Sequence, residues 1–209
     1  MSKIEKLEFQ GIKYLVYYPK NYDPSKQYPT MFHLHGAGSR GDNFEEFKGS
    51  IILDILEKGD SPLSEGICVF PQCHTDTWFD DFSNLLELVK HIYNRKDVDK
   101  SQFNGSGISM GGYAIYQVMF ALPELFHKAI VCCGGGMYWN IGRVKHIKFR
   151  IFHGAKDVAV FPEESVRMYN RLMEVGADAK LQIFEECDHN CWEKTYSNYE
   201  NLAWLFSKN

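Results

Sequence analysis

The sequence predicts an α/β fold in which a mostly parallel central sheet carries helices on both faces. Short apolar runs alternate with amphipathic helical segments along most of the 209-residue chain, the pattern of parallel strands joined by helical crossovers. Several of these runs end in glycine-rich turns, for example at residues 36–41 and 134–136. The hydrophobic content of 44% is enough for a sizeable core. We therefore predict one domain over residues 1–209.

Each element has its own local signal. Two apolar runs around Gln10 and Gly11 predict an N-terminal antiparallel hairpin. Asp42, with Glu45 three residues later, has the capping-box pattern and predicts a helix that ends at Gly59. The predicted strands are 4–9, 12–18, 30–35, 66–71, a strand ending at 108, 128–133, 149–153 and 180–184. The predicted helices are 42–59, a helix around 85–92, one from 110 to about 122, one from 162 to 176 and a single final helix at 192–206.

Residues 107–111 have the G-x-S-x-G form of a nucleophile elbow, centred on Ser109. A sharp turn from strand to helix brings the residues two before and two after the serine close together. Gly107 and Gly111 suit that corner because a side chain at either position would clash. The G-x-S-x-G pattern also occurs in ordinary turns, so other residues of the chain have to decide whether Ser109 is a nucleophile.

The context consists of two further polar residues that follow strands. Asp157 comes after the strand at 149–153, and His189 comes after the last strand. Ligands of parallel sheets bind beyond the carboxyl ends of the strands, so these residues are expected to lie near Ser109. A serine hydroxyl needs a base active near neutral pH, and the histidine needs a carboxylate to hold its other nitrogen. Asp157 is the preferred carboxylate, with Asp188 and Asp178 as alternatives.

A fourth segment is expected to supply the oxyanion hole. One donor is the backbone N–H of Met110, directly after the nucleophile, and the other is the N–H of Ala37 in the glycine-rich turn after the strand at 30–35.

Aromatic side chains in the loops after strands predict an apolar substrate pocket, since ligand sites are mostly apolar. An aromatic in such a loop is often only a cover over the core. The expected pocket residues are Trp78, Trp192, Tyr138 and Phe161.

The other histidines and the cysteines are given structural interpretations. His33, His35 and His153 lie in or at the end of buried strands and are expected to hold loops. Cys187, His189 and Cys191 alternate within one loop, which makes a poor tetrahedral site, so no metal is expected.

Composition limits the partners. The net charge is −4 and there is no basic run, which argues against nucleic acid and anionic membranes as partners. The N-terminus has no signal-peptide core, and the six cysteines are expected to be reduced, so a cytoplasmic location is predicted. The oligomeric state cannot be predicted.

Four segments together resemble the α/β-hydrolase superfamily: residues 34–43 (LHGAGSRGDN), 107–113 (GISMGGY), 152–157 (FHGAKD) and the pair Asp188-His189. Within it, the chain resembles the small esterases and predicted peptidases near the phospholipase/carboxylesterase and prolyl-oligopeptidase-type hydrolases, and feruloyl and acetylxylan esterases are also similar in pattern. The resemblance implies the α/β-hydrolase fold and a Ser-His-Asp serine hydrolase without a cofactor. Many relatives carry a helical lid where this chain has only residues 134–148, which implies a minimal lid or none.

The prediction is therefore a serine hydrolase that cleaves carboxylic esters with short acyl or aryl groups through an acyl-enzyme. A thioesterase or lysophospholipase, and a small-peptide hydrolase, are the alternatives among enzymes. A protein that binds a ligand without catalysis is the alternative from another class.

Overall fold

A computed structural model describes residues 3–208. Eight strands of that range form one sheet in the order β1-β2-β4-β3-β5-β6-β7-β8. The strands are β1 Lys3–Phe9, β2 Ile12–Tyr18, β3 Tyr28–Leu34, β4 Ile67–Pro71, β5 Val98–Ile108, β6 Lys128–Cys132, β7 Lys148–Gly154 and β8 Ala179–Phe184. The helices are α1 Ile51–Lys58, α2 Phe82–Tyr93, α3 Met110–Ala121, α4 Glu163–Glu174, α5 Trp192–Ser197 and α6 Tyr199–Phe206.

The sheet is mostly parallel, as predicted. β1 pairs with β2 and β2 pairs with β4 in antiparallel fashion. The pairings from β4 through β3, β5, β6 and β7 to β8 are all parallel. The hairpin turns at Gln10 and Gly11, whose φ angles of 48° and 85° are those of the left-handed region that a tight hairpin turn requires.

Helices cover both faces, because the strands alternate their side chains between two apolar clusters. Side chains of α2, α3 and α4, such as Leu88, Ile115 and Met168, pack on one face. Side chains of α1, α5 and α6, such as Leu56, Tyr196 and Leu205, pack on the other. In β2 the alternation is direct, with Val16 in the first cluster and Tyr17 in the second.

The predicted helix at 42–59 is wrong in its first half. Helix α1 begins only at Ile51, and the segment before it contains the 3-10 turn Glu45–Phe47. The buried side chain of Gln72 holds this segment: its Oε1 accepts from the N–H of Phe44 at 2.9 Å. Phe44 adopts a left-handed φ of 67°, which no helix continues. The predicted C-terminal stop at Gly59 is confirmed by its φ of 73°.

The single predicted helix at 192–206 is two helices. Asn198 separates α5 from α6 with an extended backbone, and its side-chain Oδ1 accepts from the N–H of Glu200 at 2.9 Å. This is an N-cap, so a new helix begins where the apolar periodicity alone predicted continuation.

The parallel strands bring their carboxyl ends to one edge of the sheet. The segments after β3, β5, β6, β7 and β8 therefore meet there, and they carry the residues singled out from the sequence. Between β6 and β7 lies the 3-10 helix Tyr138–Val144. In the described part of the chain, the helices lack the length and apolar character needed to cross a bilayer.

Candidate active site

Ser109 lies at the turn between β5 and α3 with a strained backbone, φ 53° and ψ −120°. Its N–H donates to the carbonyl of Cys132 at 2.9 Å, which ties the turn to the neighbouring strand. Two flanking glycines allow the corner: a Cβ on Gly107 would lie 2.3 Å from the carbonyl oxygen of Gly111, and a Cβ on Gly111 would lie 2.0 Å from that of Leu34. Strain of this kind costs about 1–3 kcal/mol and persists where the surrounding structure enforces it.

A continuous set of hydrogen bonds joins Ser109, His189 and Asp157. The Ser109 Oγ lies 2.9 Å from the Nε2 of His189. The Nδ1 of the same ring lies 2.6 Å from the Oδ2 of Asp157. Because a carboxylate only accepts, Nδ1 carries the hydrogen and Nε2 is free to accept from the serine hydroxyl.

Asp157 is buried, with 2% of its surface exposed. Burial would raise the pKa of this carboxyl. Hydrogen bonds from His189 and from the N–H groups of Val160 and Ala159 outweigh burial and hold the pKa below its usual value. Both N–H groups lie 2.9 Å from Oδ1. The carboxylate therefore stays ionised beside the imidazole at neutral pH.

The two alternative carboxylates lie elsewhere. Asp188 is exposed, and its Oδ1 accepts from the N–H of Asn190 at 3.1 Å. Asp178 is exposed and precedes β8, so it lies toward the opposite edge of the sheet. Asp157 is the one of these three that contacts His189.

The glycine-rich turn after β3 lies beside the serine, since a Cβ on Gly36 would be 3.4 Å from the Cβ of Ser109. His35 fixes this turn as expected: its Nδ1 donates to the carbonyl of Gly36 at 2.7 Å, and its Nε2 accepts from the N–H of Cys73 at 3.0 Å. Met110 opens α3, where N–H groups have no partner within the helix. Donation by Ala37 and Met110 to an oxyanion stays a prediction.

A cavity of about 430 Å³ opens beside the serine, and Ala37, Ser109, His189 and Trp192 border it. The indole of Trp192 meets the His189 ring edge-on at 5.4 Å between centroids.

The other predicted pocket aromatics do not border this cavity. Trp78 is 97% shielded, because its Nε1 donates to the carbonyl of His35 at 3.1 Å and its ring packs on that histidine, so it supports the turn from beneath. Tyr138 and Phe161 are 44% and 63% exposed outside the cavity. Contact between these two side chains and a substrate stays a prediction.

Two residues near Ser109, His189 and Asp157 did not stand out in the sequence. His153 was expected only to shape a turn, yet its Nε2 lies 3.1 Å from the Oδ2 of Asp157. Its position four residues before Asp157, at the end of a strand, was the available signal. Cys133 brings its Sγ within 4.8 Å of donor atoms of Asp157 and His189. Both ring nitrogens of His189 are already within hydrogen-bond distance of a partner, Nδ1 of Asp157 and Nε2 of Ser109, so a metal bound there would displace one of these contacts.

No family model matches the sequence. A probable feruloyl esterase C of Aspergillus terreus is 25% identical over 78% of this chain and 62% of its own length. Dipeptidyl-peptidase 5 of Aspergillus fumigatus is 23% identical over 97% of this chain and 34% of its own. A crystal structure of a thermostable esterase superposes with a TM-score of 0.82 and 26% identity, over 98% of this chain and 62% of that one. The chain thus spans about three fifths of either esterase and a third of the peptidase.

Proposed function

We propose that this chain, a member of the α/β-hydrolase superfamily, is a serine hydrolase that cleaves carboxylic esters through an acyl-enzyme. The observation that carries the proposal is the set of hydrogen bonds from Ser109 through His189 to Asp157, at 2.9 Å and 2.6 Å. It starts at a strained elbow at the edge of the sheet where such folds bind ligands. Support also comes from the similarity to two esterases.

Each residue has a proposed step. The Nε2 of His189 takes the hydroxyl proton as the Ser109 oxygen attacks the ester carbonyl carbon, and the carbonyl oxygen becomes an oxyanion. The N–H groups of Ala37 and Met110 donate to that oxyanion, and each donor is typically worth about 3 kcal/mol. Collapse expels the alkoxide, which takes the proton from His189. Water then attacks the acyl-enzyme in the same way, with Ser109 as the leaving group.

Asp157 holds the Nδ1–H tautomer of His189 and stabilises the imidazolium that forms in each step. Its lowered pKa keeps it charged for this task.

The proposed substrates are esters with short acyl or aryl groups. The cavity of about 430 Å³ suits a small ligand, and the Trp192 indole offers a flat apolar wall beside the catalytic histidine. The relative described as a feruloyl esterase supports the aryl part of the proposal.

Peptide hydrolysis is a second candidate because the alignment with dipeptidyl-peptidase 5 covers 97% of this chain. Aminoacyl anilides test it. Thioesters and lysophospholipids test the thioesterase and lysophospholipase alternatives. The non-catalytic alternative predicts no turnover of any of these substrates.

The first test is hydrolysis of p-nitrophenyl esters, from acetate upward in chain length, by the wild type and by Ser109→Ala. We expect turnover of the short esters and a loss of at least about 10³-fold in kcat for the variant. Equal rates for the two proteins on every ester would contradict the proposal.

We also propose that residues 1–209 act as one domain without a cofactor, in the cytoplasm, on a small-molecule substrate. The expectation from the sequence that the six cysteines are reduced is the support for a cytoplasmic location. The net charge of −4 supports the absence of nucleic-acid and anionic-membrane partners.

A further inference from the structure

A second histidine, His153, contacts the carboxylate that orients His189. It lies at the end of β7, four residues before Asp157, and its side chain is fully buried. Its Nε2 lies 3.1 Å from the Oδ2 of Asp157 and 2.9 Å from the carbonyl oxygen of Val160. On the other side of the ring, Nδ1 lies 2.7 Å from the hydroxyl oxygen of Ser165, and that oxygen also lies 3.0 Å from the carbonyl oxygen of Gly134.

The partners of Nε2 fix where a hydrogen must be. Both the Asp157 carboxylate and the Val160 carbonyl are acceptors only, so Nε2 has to be an N–H donor. An Nε2 without hydrogen would place its lone pair against two acceptor oxygens in a buried site, which is unfavourable because buried acceptors need donors. A neutral ring that donates from Nε2 accepts at Nδ1, so the single hydrogen of the Ser165 hydroxyl points to Nδ1.

This donor completes the hydrogen bonding of Asp157. Its Oδ1 accepts from the N–H groups of Ala159 and Val160, and its Oδ2 accepts from His189 and His153. With two donors on each oxygen, these hydrogen bonds fix the orientation of the carboxylate plane and the position of both oxygens. Val160 strengthens the arrangement because it donates to Asp157 through its N–H and accepts from His153 through its carbonyl.

We propose that His153 is a positioning residue for the triad: its Nε2–H holds Asp157 Oδ2 in the direction that presents the other lone pair to His189. The inference rests on the proposed function, and assigns His153 a role in the chemical step rather than in substrate binding. Loss of the donor leaves Asp157 free to tilt about its Cβ–Cγ bond, which weakens the alignment of His189 toward Ser109 without changing the cavity.

Two amide substitutions separate this role from packing. The amide nitrogen of glutamine reaches the position of Nε2, whereas that of asparagine reaches only the position of Nδ1. His153→Gln therefore keeps a donor to Asp157 and loses the contact with Ser165, and His153→Asn does the reverse. Both substituted side chains are uncharged, and each keeps one of the two hydrogen-bonding contacts that His153 makes, with Asp157 or with Ser165.

We expect kcat for short p-nitrophenyl esters to be at least about tenfold higher in His153→Gln than in His153→Asn, with KM values within about twofold. Urea unfolding of both variants checks that they are equally folded. An asparagine variant as active as the glutamine variant would overturn the inference, because a packing role does not distinguish the two amides.

Two spectroscopic measurements keep the inference separate from the proposed function. In the wild type, a two-bond ¹H–¹⁵N correlation spectrum should show a protonated Nε2 in His153, and an unprotonated Nε2 would overturn the inference whether or not either variant folds. The downfield proton of His189 in its bond to Asp157 should persist in His153→Gln and shift or vanish in His153→Asn. If the wild type hydrolyses no ester but these signals behave as expected, the proposed function fails and the positioning role stands.

Discussion

Acid should destabilise this protein well above the pKa range of carboxylates, because two buried histidines beside the candidate active site resist protonation. His33 and His35 are each only 4% exposed. Burial, with a smaller contribution from His35, lowers the pKa of His33 to about 3. Burial, assisted by Arg40 and opposed by the hydrogen bond to Gly36, lowers the pKa of His35 to about 4.

The sign and size follow from linkage. The unfolded chain protonates both rings below their ordinary pKa of about 6.5, while the folded protein keeps them neutral. Stability is therefore lost as the pH falls from about 6.5 toward the folded-state values. At pH 5 each histidine lies about 1.5 pH units below its unfolded pKa, which at 1.36 kcal/mol per unit is about 2 kcal/mol. Together His33 and His35 should reduce the free energy of unfolding by about 4 kcal/mol between pH 7 and pH 5.

Urea unfolding at half-unit steps from pH 7.5 to 5 measures this loss. His33→Asn, whose amide can keep the contact that Nδ1 makes with the Ser106 hydroxyl at 3.1 Å, should reduce the loss by about half. His127→Gln, at an exposed histidine, is the matched control and should not halve the loss. A wild-type free energy of unfolding that falls by less than about 1 kcal/mol over this range would refute the reasoning.

Gly111→Ala places a Cβ 2.0 Å from a backbone carbonyl oxygen of β3. Urea unfolding should therefore show a free energy of unfolding lower by about 3 kcal/mol or more. The control Gly142→Ala, with open space around it, should stay within about 0.5 kcal/mol of the wild type, and equal effects of the two substitutions would contradict a close approach at Gly111. Asp157→Asn removes the charge and favours the wrong His189 tautomer, so kcat should fall by up to about 10⁴-fold with little change in KM. Steady-state kinetics on p-nitrophenyl acetate measure both constants. A change in KM alone would count against the proposed role of Asp157. Trp192→Ala removes one wall of the cavity, so KM for aryl esters should rise about tenfold, and KM for p-nitrophenyl acetate should rise less. The control is Trp139→Ala, because Trp139 is exposed and lies outside the cavity. Identical KM values for Trp192→Ala and the wild type would exclude Trp192 from the pocket.

The part of the site that depends on local pattern could be predicted from the sequence. The spacing of Gly107, Ser109 and Gly111 encodes the elbow because its steric requirement lies within five residues. The positions of Asp157 and His189 after strands were predictable because parallel strands align their carboxyl ends. Their mutual contact required the fold.

What could not be predicted depends on contacts between distant segments. The capping-box pattern at Asp42 does not form a helix because the side chain of Gln72, 28 residues after Phe44, holds the backbone there. Trp78 follows a strand like a pocket residue, but its indole N–H finds the carbonyl of His35, 43 residues earlier, and the ring is buried beneath the turn. Neither partner is marked in the local sequence.

His153 illustrates a third kind of limit. A buried histidine beside a glycine is usually structural, and the sequence shows neither which nitrogen faces Asp157 nor that Val160 and Ser165 flank the ring. By contrast, the break at Asn198 was marked, since asparagine is a favoured N-cap, but the apolar periodicity of residues 192–206 concealed it.

The most direct test of Ser109 as the nucleophile is covalent labelling with a fluorophosphonate probe, followed by intact-mass measurement and peptide mapping. We expect one adduct per chain, located on Ser109, and no adduct on Ser109→Ala under the same conditions. Failure of the folded wild-type protein to react, or an adduct that maps to another residue and persists in Ser109→Ala, would contradict the assignment of Ser109 as an activated nucleophile.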